Sequence, residues 1–176
     1  MDEANLEAFA LPELATFALA SRQDSDVPRR AELALGIALP EPGRTLVAAG
    51  VRAVCTSPGQ WLMLREGTSE SLGALLAEAL GEAASLIDVS GAHVGVRVRG
   101  VGARAALGRF LPLDLHPRTM RPGQAAATLA AHLPVLLWQV DDRPTYDLLC
   151  ARSLAGSFRR ALELISVNVA AAPVLS

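Results

Sequence analysis

The segment "VGVRVRG" (94–100) alternates strictly between apolar and polar positions, which puts Val94, Val96 and Val98 on one face of a strand and Arg97 and Arg99 on the other. "TLVAAGVRAVCTSPGQWLMLRE" (45–66) reads as two strands joined by "SPGQ", whose Ser57, Pro58 and Gly59 favour a tight turn. The period then changes. In "TSESLGALLAEALG" (68–81), Leu72, Leu75, Leu76, Ala79 and Leu80 recur at helical spacing, with Thr68 or Ser69 as N-cap and Gly81 past the end. "SLIDVS" (85–90) returns to strand, and "GVGARAALGRF" (100–110) predicts a helix with Ala103, Leu107 and Phe110 inward and Arg104 and Arg109 outward. "QAAATLAAH", "PVLLWQV" and "TYDLLCA" predict three more strands, the last two joined by a "DDRP" turn. "RSLAGSFRRALELI" (152–165) predicts a closing helix capped by Ser153, with Leu154, Phe158, Ala161, Leu162 and Ile165 facing in. Nearer the start, "ELATFALASR" predicts a short strand, "QDSDVPRR" a polar loop, and "AELALGIALPEPGR" a helical turn stopped by Gly36.

Strand runs punctuated by single helices imply an α+β fold, with antiparallel sheets backed by helices on one face. The segments from Val51 to Leu80 and from Pro134 to Leu164 share a hairpin-then-helix grammar, so the sequence predicts two related hairpin-helix units. The expected organisation is a partly ordered extension over 1–30, one domain over 31–166 and a tail over 167–176.

Composition narrows the chemistry. All 16 basic residues are arginine, which excludes mechanisms that need a lysine amine, such as a Schiff base or a P-loop phosphate clamp. Residues 1–88 hold 13 acids against 6 arginines and residues 89–176 hold 5 against 10, an asymmetry suited to oriented docking on another protein. Apolar runs are interrupted well before the roughly 20 residues needed to span a bilayer, and "MDEANLEAF" is acidic where a presequence is basic, so a soluble, cytoplasmic protein is expected. Cys55 and Cys150 lack metal or redox spacing and read as buried, reduced thiols.

The loop "FLPLDLHPRTMRPG" (110–123) concentrates candidate chemistry. Asp114, His116 and Arg118 are spaced by two, so His116 can serve as a general acid or base. The alternative is that Asp114 and Arg118 order a proline-rich turn from Leu113 to Pro122, with His116 packed beside them. Asp141, Asp142 and Asp147 offer hard oxygen ligands to a divalent cation, or a solvated hairpin turn. Gly100 and Gly102 precede a helix but lack the third glycine of a dinucleotide loop. Trp61 and Trp138 lie in apolar strands as core residues, although either could border a planar ligand.

The run "SLIDVSGAHVGVRVRGVGARAALGRFLPLDLHPRTMRPG", followed by "PVLLWQ", "TYDLL" and "ARSLAGSF" and preceded by "LGIALPEPGR" and "SPGQWLMLRE", resembles the gamma subunit family of heterotetrameric sarcosine oxidase. The resemblance covers about residues 33–165 and draws in Asp88, Ser90, Asp114, His116, Arg118, Tyr146, Arg152 and Ser153 as motif positions. It implies a non-catalytic subunit that assembles with alpha, beta and delta subunits, in a complex that oxidatively demethylates sarcosine to glycine. FAD, FMN, NAD and tetrahydrofolate are then expected in the other subunits, leaving no catalytic, cofactor or metal residue in this chain, and Arg97, Arg99, Arg104 and Arg109 become candidate interface residues.

More distantly, "IDVSGAHVGVRVRG" is similar to the folate-binding domain of glycine-cleavage aminomethyltransferases. That family places a catalytic aspartate in the strand after its glycine turn. Here the matching "AHLPVLLWQV" reaches its first carboxylate, Asp141, only after the strand. Gly91 and Ala92 also replace the usual histidine after Ser90, with His93 close by. A stand-alone folate-binding protein, or a small enzyme built on His116 and Asp114, are the alternative readings.

Overall fold

The computed structural model describes residues 7–12, 14–22, 26–66 and 69–164. Strand β1 (Glu7–Ala10) is followed by β2 (Leu14–Ser21), α1 (Val27–Leu35), β3 (Thr45–Ala48), β4 (Val51–Ser57), β5 (Gln60–Glu66), α2 (Ser69–Leu80) and β6 (Ala84–Asp88). The chain continues through β7 (His93–Arg99), α3 (Ala103–Gly108), β8 (Ala125–Ala130), β9 (Leu133–Gln139), β10 (Tyr146–Ala151) and α4 (Ala155–Leu164). The fold is α+β, and it divides into two units, residues 12–91 and residues 1–11 with 92–176.

In the unit of residues 12–91, an antiparallel sheet has the order β3-β4-β5-β2-β6. Its register sets Phe17 beside Met63 and Met63 beside Ala53, with Leu19, Trp61 and Cys55 in the next row on the same face. Onto this face α1 presents Val27, Ala31 and Leu35, and α2 presents Leu72, Leu76 and Leu80. Spacing by four keeps each set on one side of its helix, and each large side chain so buried contributes about 1.5–3 kcal/mol. Gly73 explains the close approach of α2, because a Cβ there would lie 2.8 Å from Phe17 Cζ.

Two expectations are corrected in this unit. The segment "QDSDVPRR" is not loop throughout, because α1 begins at Val27, with Pro28 in the first turn where its missing N–H costs no helical bond. Residues 45–66 form three strands rather than two. Ala49 and Gly50, with φ of 48° and 76°, make a two-residue turn of the kind whose twist matches paired strands, inside what reads in sequence as one apolar run. Thr68, a candidate cap, lies outside the described residues.

The second unit repeats the plan. Its sheet has the order β1-β7-β10-β9-β8, again antiparallel throughout. Strand β7 stands where β2 stands, and β8, β9 and β10 correspond to β3, β4 and β5. The turn joining β8 to β9 also has two positive φ values, Ala131 at 46° and His132 at 71°. Its core gathers Val98, Tyr146, Leu148, Cys150, Leu137 and Val135 from the sheet, Ala103, Leu107 and Phe110 from the α3 region, and Phe158, Ala161 and Leu162 from α4. Ser153 lies within a short 3-10 turn, Arg152–Leu154, instead of standing ahead of α4 as its cap. Ile165 falls outside the described residues.

One strand breaks the parallel. In the first unit the edge beside β2 is filled by β6, which directly follows α2; in the second the edge beside β7 is filled by β1, from the opposite end of the chain. Ala8 is buried in that core, and Leu11 donates its backbone N–H to Gly95 O at 2.9 Å. A Cβ on Gly95 would come within 2.6 Å of Leu11 Cδ1, so a glycine is what leaves room for this crossing. The contacts thus divide the chain differently from a 1–30 extension and a 31–166 domain. The reason is that β1 and β2 each complete a different sheet. The exchange also redistributes charge: residues 12–91 carry 10 acids against 6 arginines, and the other unit 8 against 10, a weaker asymmetry than that of the sequence halves.

Both cysteines are free and buried. Burial pushes the Cys150 thiol from 9.0 up to about 11. The unfolded thiol ionises near pH 9 while the folded one stays protonated, so this contribution to stability is intact below pH 9 and declines as pH rises toward 11, by at most about 1.4 kcal/mol per pH unit. Urea midpoints measured from pH 8 to 10.5 should fall with pH in the wild type and less steeply in Cys150→Ala. Equal slopes would refute the assignment.

Candidate functional site

The loop after α3 is built around Asp114. Its Oδ1 accepts the His116 backbone N–H at 2.9 Å and its Oδ2 accepts the Thr119 hydroxyl at 2.8 Å. The His116 carbonyl accepts the N–H groups of Thr119 and Met120, and His116 Nδ1 accepts that of Arg118 at 3.2 Å. Leu111, Leu115 and Met120 anchor the loop in the core while Asp114, His116 and Arg118 stay exposed. Asp114 therefore orders the turn as expected, whereas Arg118 contributes its backbone. Both carboxylate oxygens are bonded away from the imidazole, so Asp114 does not orient His116 as a catalytic base would require.

The same bonds predict a pH effect. Hydrogen bonding, first from the His116 N–H and then from the Thr119 hydroxyl, holds the Asp114 carboxyl below its ordinary 3.8. Its support of the loop is thus complete above that value and is lost as pH falls through the lower folded one. Because Asp114 is at the surface, Asp114→Ala should speed amide exchange at His116, Thr119 and Met120 while leaving exchange in the β-sheets unchanged. Unaltered exchange at those three amides would contradict this role.

The "IDVS" motif closes the unit of residues 12–91. Asp88 Oδ1 accepts from the Ser90 hydroxyl at 2.6 Å and from the Ser90 backbone N–H at 2.9 Å, while Ser90 Oγ accepts the Thr16 N–H at 2.9 Å. These bonds lower the Asp88 pKa, the Ser90 hydroxyl contributing most. The motif pins the end of β6 to β2.

The most developed polar cluster lies on the face of the second sheet opposite the valines. The register sets Asp147 directly beside Arg97 and Trp138. Arg97 Nε donates to Asp147 Oδ1 at 2.6 Å and its Nη2 to Oδ2 at 2.8 Å, while the Trp138 indole donates to Oδ2 at 3.2 Å. The side chain of Asp147 is 3% exposed and that of Arg97 31%. Arg97 is therefore not the freely solvated partner of Arg99 that alternation implies. The signal was available: an acid inside the apolar strand "TYDLLC" needs a cation opposite it, and "VRVR" supplies one.

The remaining candidates are dispersed. Tyr146 is fully buried on the helix-bearing face and accepts from Arg104 Nε at 3.1 Å; burial raises its pKa against the smaller opposing effect of Arg104. Arg104 thus stands on the opposite face of the sheet from Arg97 and Arg99, and the four interface candidates do not form one surface. Arg109 is exposed, and Arg152 Nη2 donates to the His93 carbonyl at 3.3 Å. Asp141 and Asp142 are exposed in the hairpin turn whereas Asp147 is buried in β10, which separates the three possible ligands. Among the described residues no group of three or more His, Cys, Asp or Glu is placed to hold a metal ion. The helix after Gly100 and Gly102 is only six residues long. Trp61 and Trp138 are both buried core residues, the Trp61 indole donating to Pro40 O at 2.8 Å. Among the described residues no helix is long and apolar enough to cross a membrane.

Against known proteins, residues 22–168 match the model of the sarcosine oxidase, gamma subunit family. A curated relative, the sarcosine oxidase subunit gamma of an Arthrobacter species, is 34% identical over 117 residues, which span 65% of this chain and 58% of that relative. Among solved structures, a chain of heterotetrameric sarcosine oxidase from Corynebacterium sp. U-96, in complex with pyrrole 2-carboxylate, superposes with a TM-score of 0.81 at 24% identity, covering 97% of this chain and 88% of that one. The glycine cleavage system aminomethyltransferase T from Bartonella henselae superposes with a TM-score of 0.69 at 14% identity, covering 90% of this chain and 45% of its own. That likeness is one of fold. The motifs from Leu35 to Phe158 lie inside the family match, and the chain belongs to the sarcosine oxidase gamma subunit family.

Proposed function

We propose that this chain is a non-catalytic gamma subunit of a heterotetrameric sarcosine oxidase. It supports assembly with alpha, beta and delta subunits in a complex that oxidatively demethylates sarcosine to glycine. The observation that carries the reading is the likeness, over 97% of this chain, to a chain of a heterotetrameric sarcosine oxidase, together with membership of the gamma family. The geometry agrees with it. Asp114, His116, Asp88 and Ser90 direct their hydrogen bonds to turns and strand ends, and the buried Asp147 carboxylate is held by Arg97 and Trp138. In this reading FAD, FMN, NAD and tetrahydrofolate belong to the other subunits, and the chain works in the cytoplasm.

Co-expression of tagged chain with the alpha, beta and delta subunits tests the proposal. The expected result is co-purification of all four, with sarcosine-dependent release of hydrogen peroxide, and a colourless protein when the tagged chain is made alone. Failure to co-purify, or a complex lacking this chain that assembles and turns over equally well, would overturn it. A flavin absorption band in the isolated chain would do the same for the assignment of cofactors.

A further inference from the structure

Strand β8 ends the second sheet and pairs on one side only, with β9. We infer that its open edge is a docking site for an extended, acidic segment of a partner subunit, which adds to the five-stranded sheet as a sixth strand and sets its carboxylates beside Arg118 and Arg121. The inference rests on the subunit reading above and adds to it a place, a geometry and a charge.

The backbone of β8 is aligned for such an addition. The two-residue turn at Ala131 and His132 makes Ala130 and Leu133 a hydrogen-bonded pair, and bonded and non-bonded pairs alternate from there. Leu129 therefore stands in a non-bonded pair, so Pro134, which has no N–H to give, is accommodated opposite it. Ala125, Ala127 and Leu129 consequently aim their N–H and C=O groups away from β9, toward the open side. The pairs run without interruption from Ala125 to Ala130, with no bulge to twist the edge away. Ala127 is exposed, and Leu129 is 45% exposed beside the exposed Pro134.

The other sheet edges among the described residues are guarded. Strands β1 and β3 are only four residues long, β1 begins with Glu7, and the five-residue β6 ends with Asp88. Shortness and charge both discourage strand addition. Strand β8 is the longest edge, at six residues, and contains neither a charge nor a proline.

Charge selects the occupant. Residues 115–140 contain no acid and include Arg118 and Arg121. Arg121 donates its backbone N–H to Gln124 Oε1 at 2.6 Å, and Gln124 donates its own to the Arg121 carbonyl at 3.0 Å, a tight turn that leads directly into β8. Both arginines are exposed, and neither forms an ion pair with a described residue. The Arg121 side chain is held by its Nε bond to Pro117 O at 3.1 Å. Asp114, the one acid of the loop, is already engaged by the His116 N–H and the Thr119 hydroxyl. A second copy of this chain makes a poor occupant. Two-fold pairing of β8 with itself would lay the arginine end of one strand beside the His132 end of the other, with no acid at either end. An acidic strand meets cations there instead, which favours its docking and steers its approach.

In the four-subunit complex, hydrogen exchange resolved to single residues should find the outward amides of Ala127 and Leu129 as slow as the inward amide of Thr128. The absence of lysine from all 176 residues permits a second test. Arg121→Lys introduces a single side-chain amine, and carbodiimide treatment should join it to an aspartate or glutamate of another subunit, identified by mass spectrometry. Ala127→Pro removes an N–H that β9 does not use, where an edge strand tolerates proline, and should weaken assembly about tenfold by leaving a carbonyl of the added strand unpaired. Arg118→Glu combined with Arg121→Glu should weaken it about tenfold or more and change its salt dependence. Arg29→Glu, a charge reversal in the other unit, should not. Fast exchange at Ala127 and Leu129 in the assembled wild-type complex, no cross-link or one only to a second copy of this chain, wild-type assembly by the proline and arginine variants, or an equal loss from Arg29→Glu would each overturn the inference while leaving the subunit reading intact. If the wild-type chain itself does not assemble, both fall.

Discussion

Replacing Arg97 by alanine is expected to cost about 5 kcal/mol of folding stability, and replacing Asp147 by alanine about 3 kcal/mol, the two ends of the range for removing one partner of a buried ion pair. The order follows from exposure. Without Arg97, a carboxylate that is 3% exposed loses both charge-assisted bonds and keeps only the 3.2 Å indole bond from Trp138; without Asp147, a guanidinium that is 31% exposed can turn toward water. Arg97→Glu should be worse than either, because it sets two carboxylates against each other where the register holds them adjacent. Urea denaturation of the three variants checks the ranking, and equal losses from Arg97→Ala and Asp147→Ala would refute the exposure argument. The consequence for assembly is direct. An Arg97→Glu variant that fails to associate will have failed to fold, so Arg97 cannot be used to map a docking surface.

The second large effect is expected at Phe158. It is 1% exposed on α4, with its ring centroid 6.1 Å from that of Phe110, at an interplanar angle of 37°. Phe158→Ala should cost about 3–5 kcal/mol, since the space left between helix and sheet cannot fully collapse. Part of that loss is the aromatic pair itself, about 0.5–1.5 kcal/mol. Phe158→Leu, which refills most of the volume, should lose less than half as much. Against a typical total of about 5–15 kcal/mol, the alanine variant approaches the limit of a stable fold. Urea midpoints for Phe158→Ala and Phe158→Leu that coincide would show that packing of the ring is not what secures α4.

Much of this architecture is legible in local pattern. The alternation in "VGVRVRG" and the leucines spaced along α2 report which face of each element is apolar, and burial follows that face whatever the partner is. Val98, Leu72, Leu76 and Leu80 are accordingly buried as the pattern requires. The hairpin-helix grammar repeated in the two halves is realised as one strand order used twice. Family motifs such as "PLDLHPR" are equally local. Their chemistry was less so, because whether Asp114 serves its own turn or the His116 ring depends on loop geometry that spacing by two allows either way.

Other features depend on pairings that no local window contains. That β1 closes the sheet of β7, 86 or more residues away, is decided by which edge is left open once β10 has paired, so no segment of 7–10 announces its destination. Arg97 and Asp147 are 50 residues apart and become neighbours only through the β7–β10 register; a shift of one residue would turn the acid onto the apolar, helix-bearing face with no cation opposite it. Arg143 likewise comes near Arg97 and Arg99 only because the β9–β10 turn carries it to the end of β7. Apolar periodicity is a property of each segment and can be read there. Register, strand exchange and the meeting of distant charges are properties of the assembled sheet, and only tertiary packing selects among the pairings that local patterns permit.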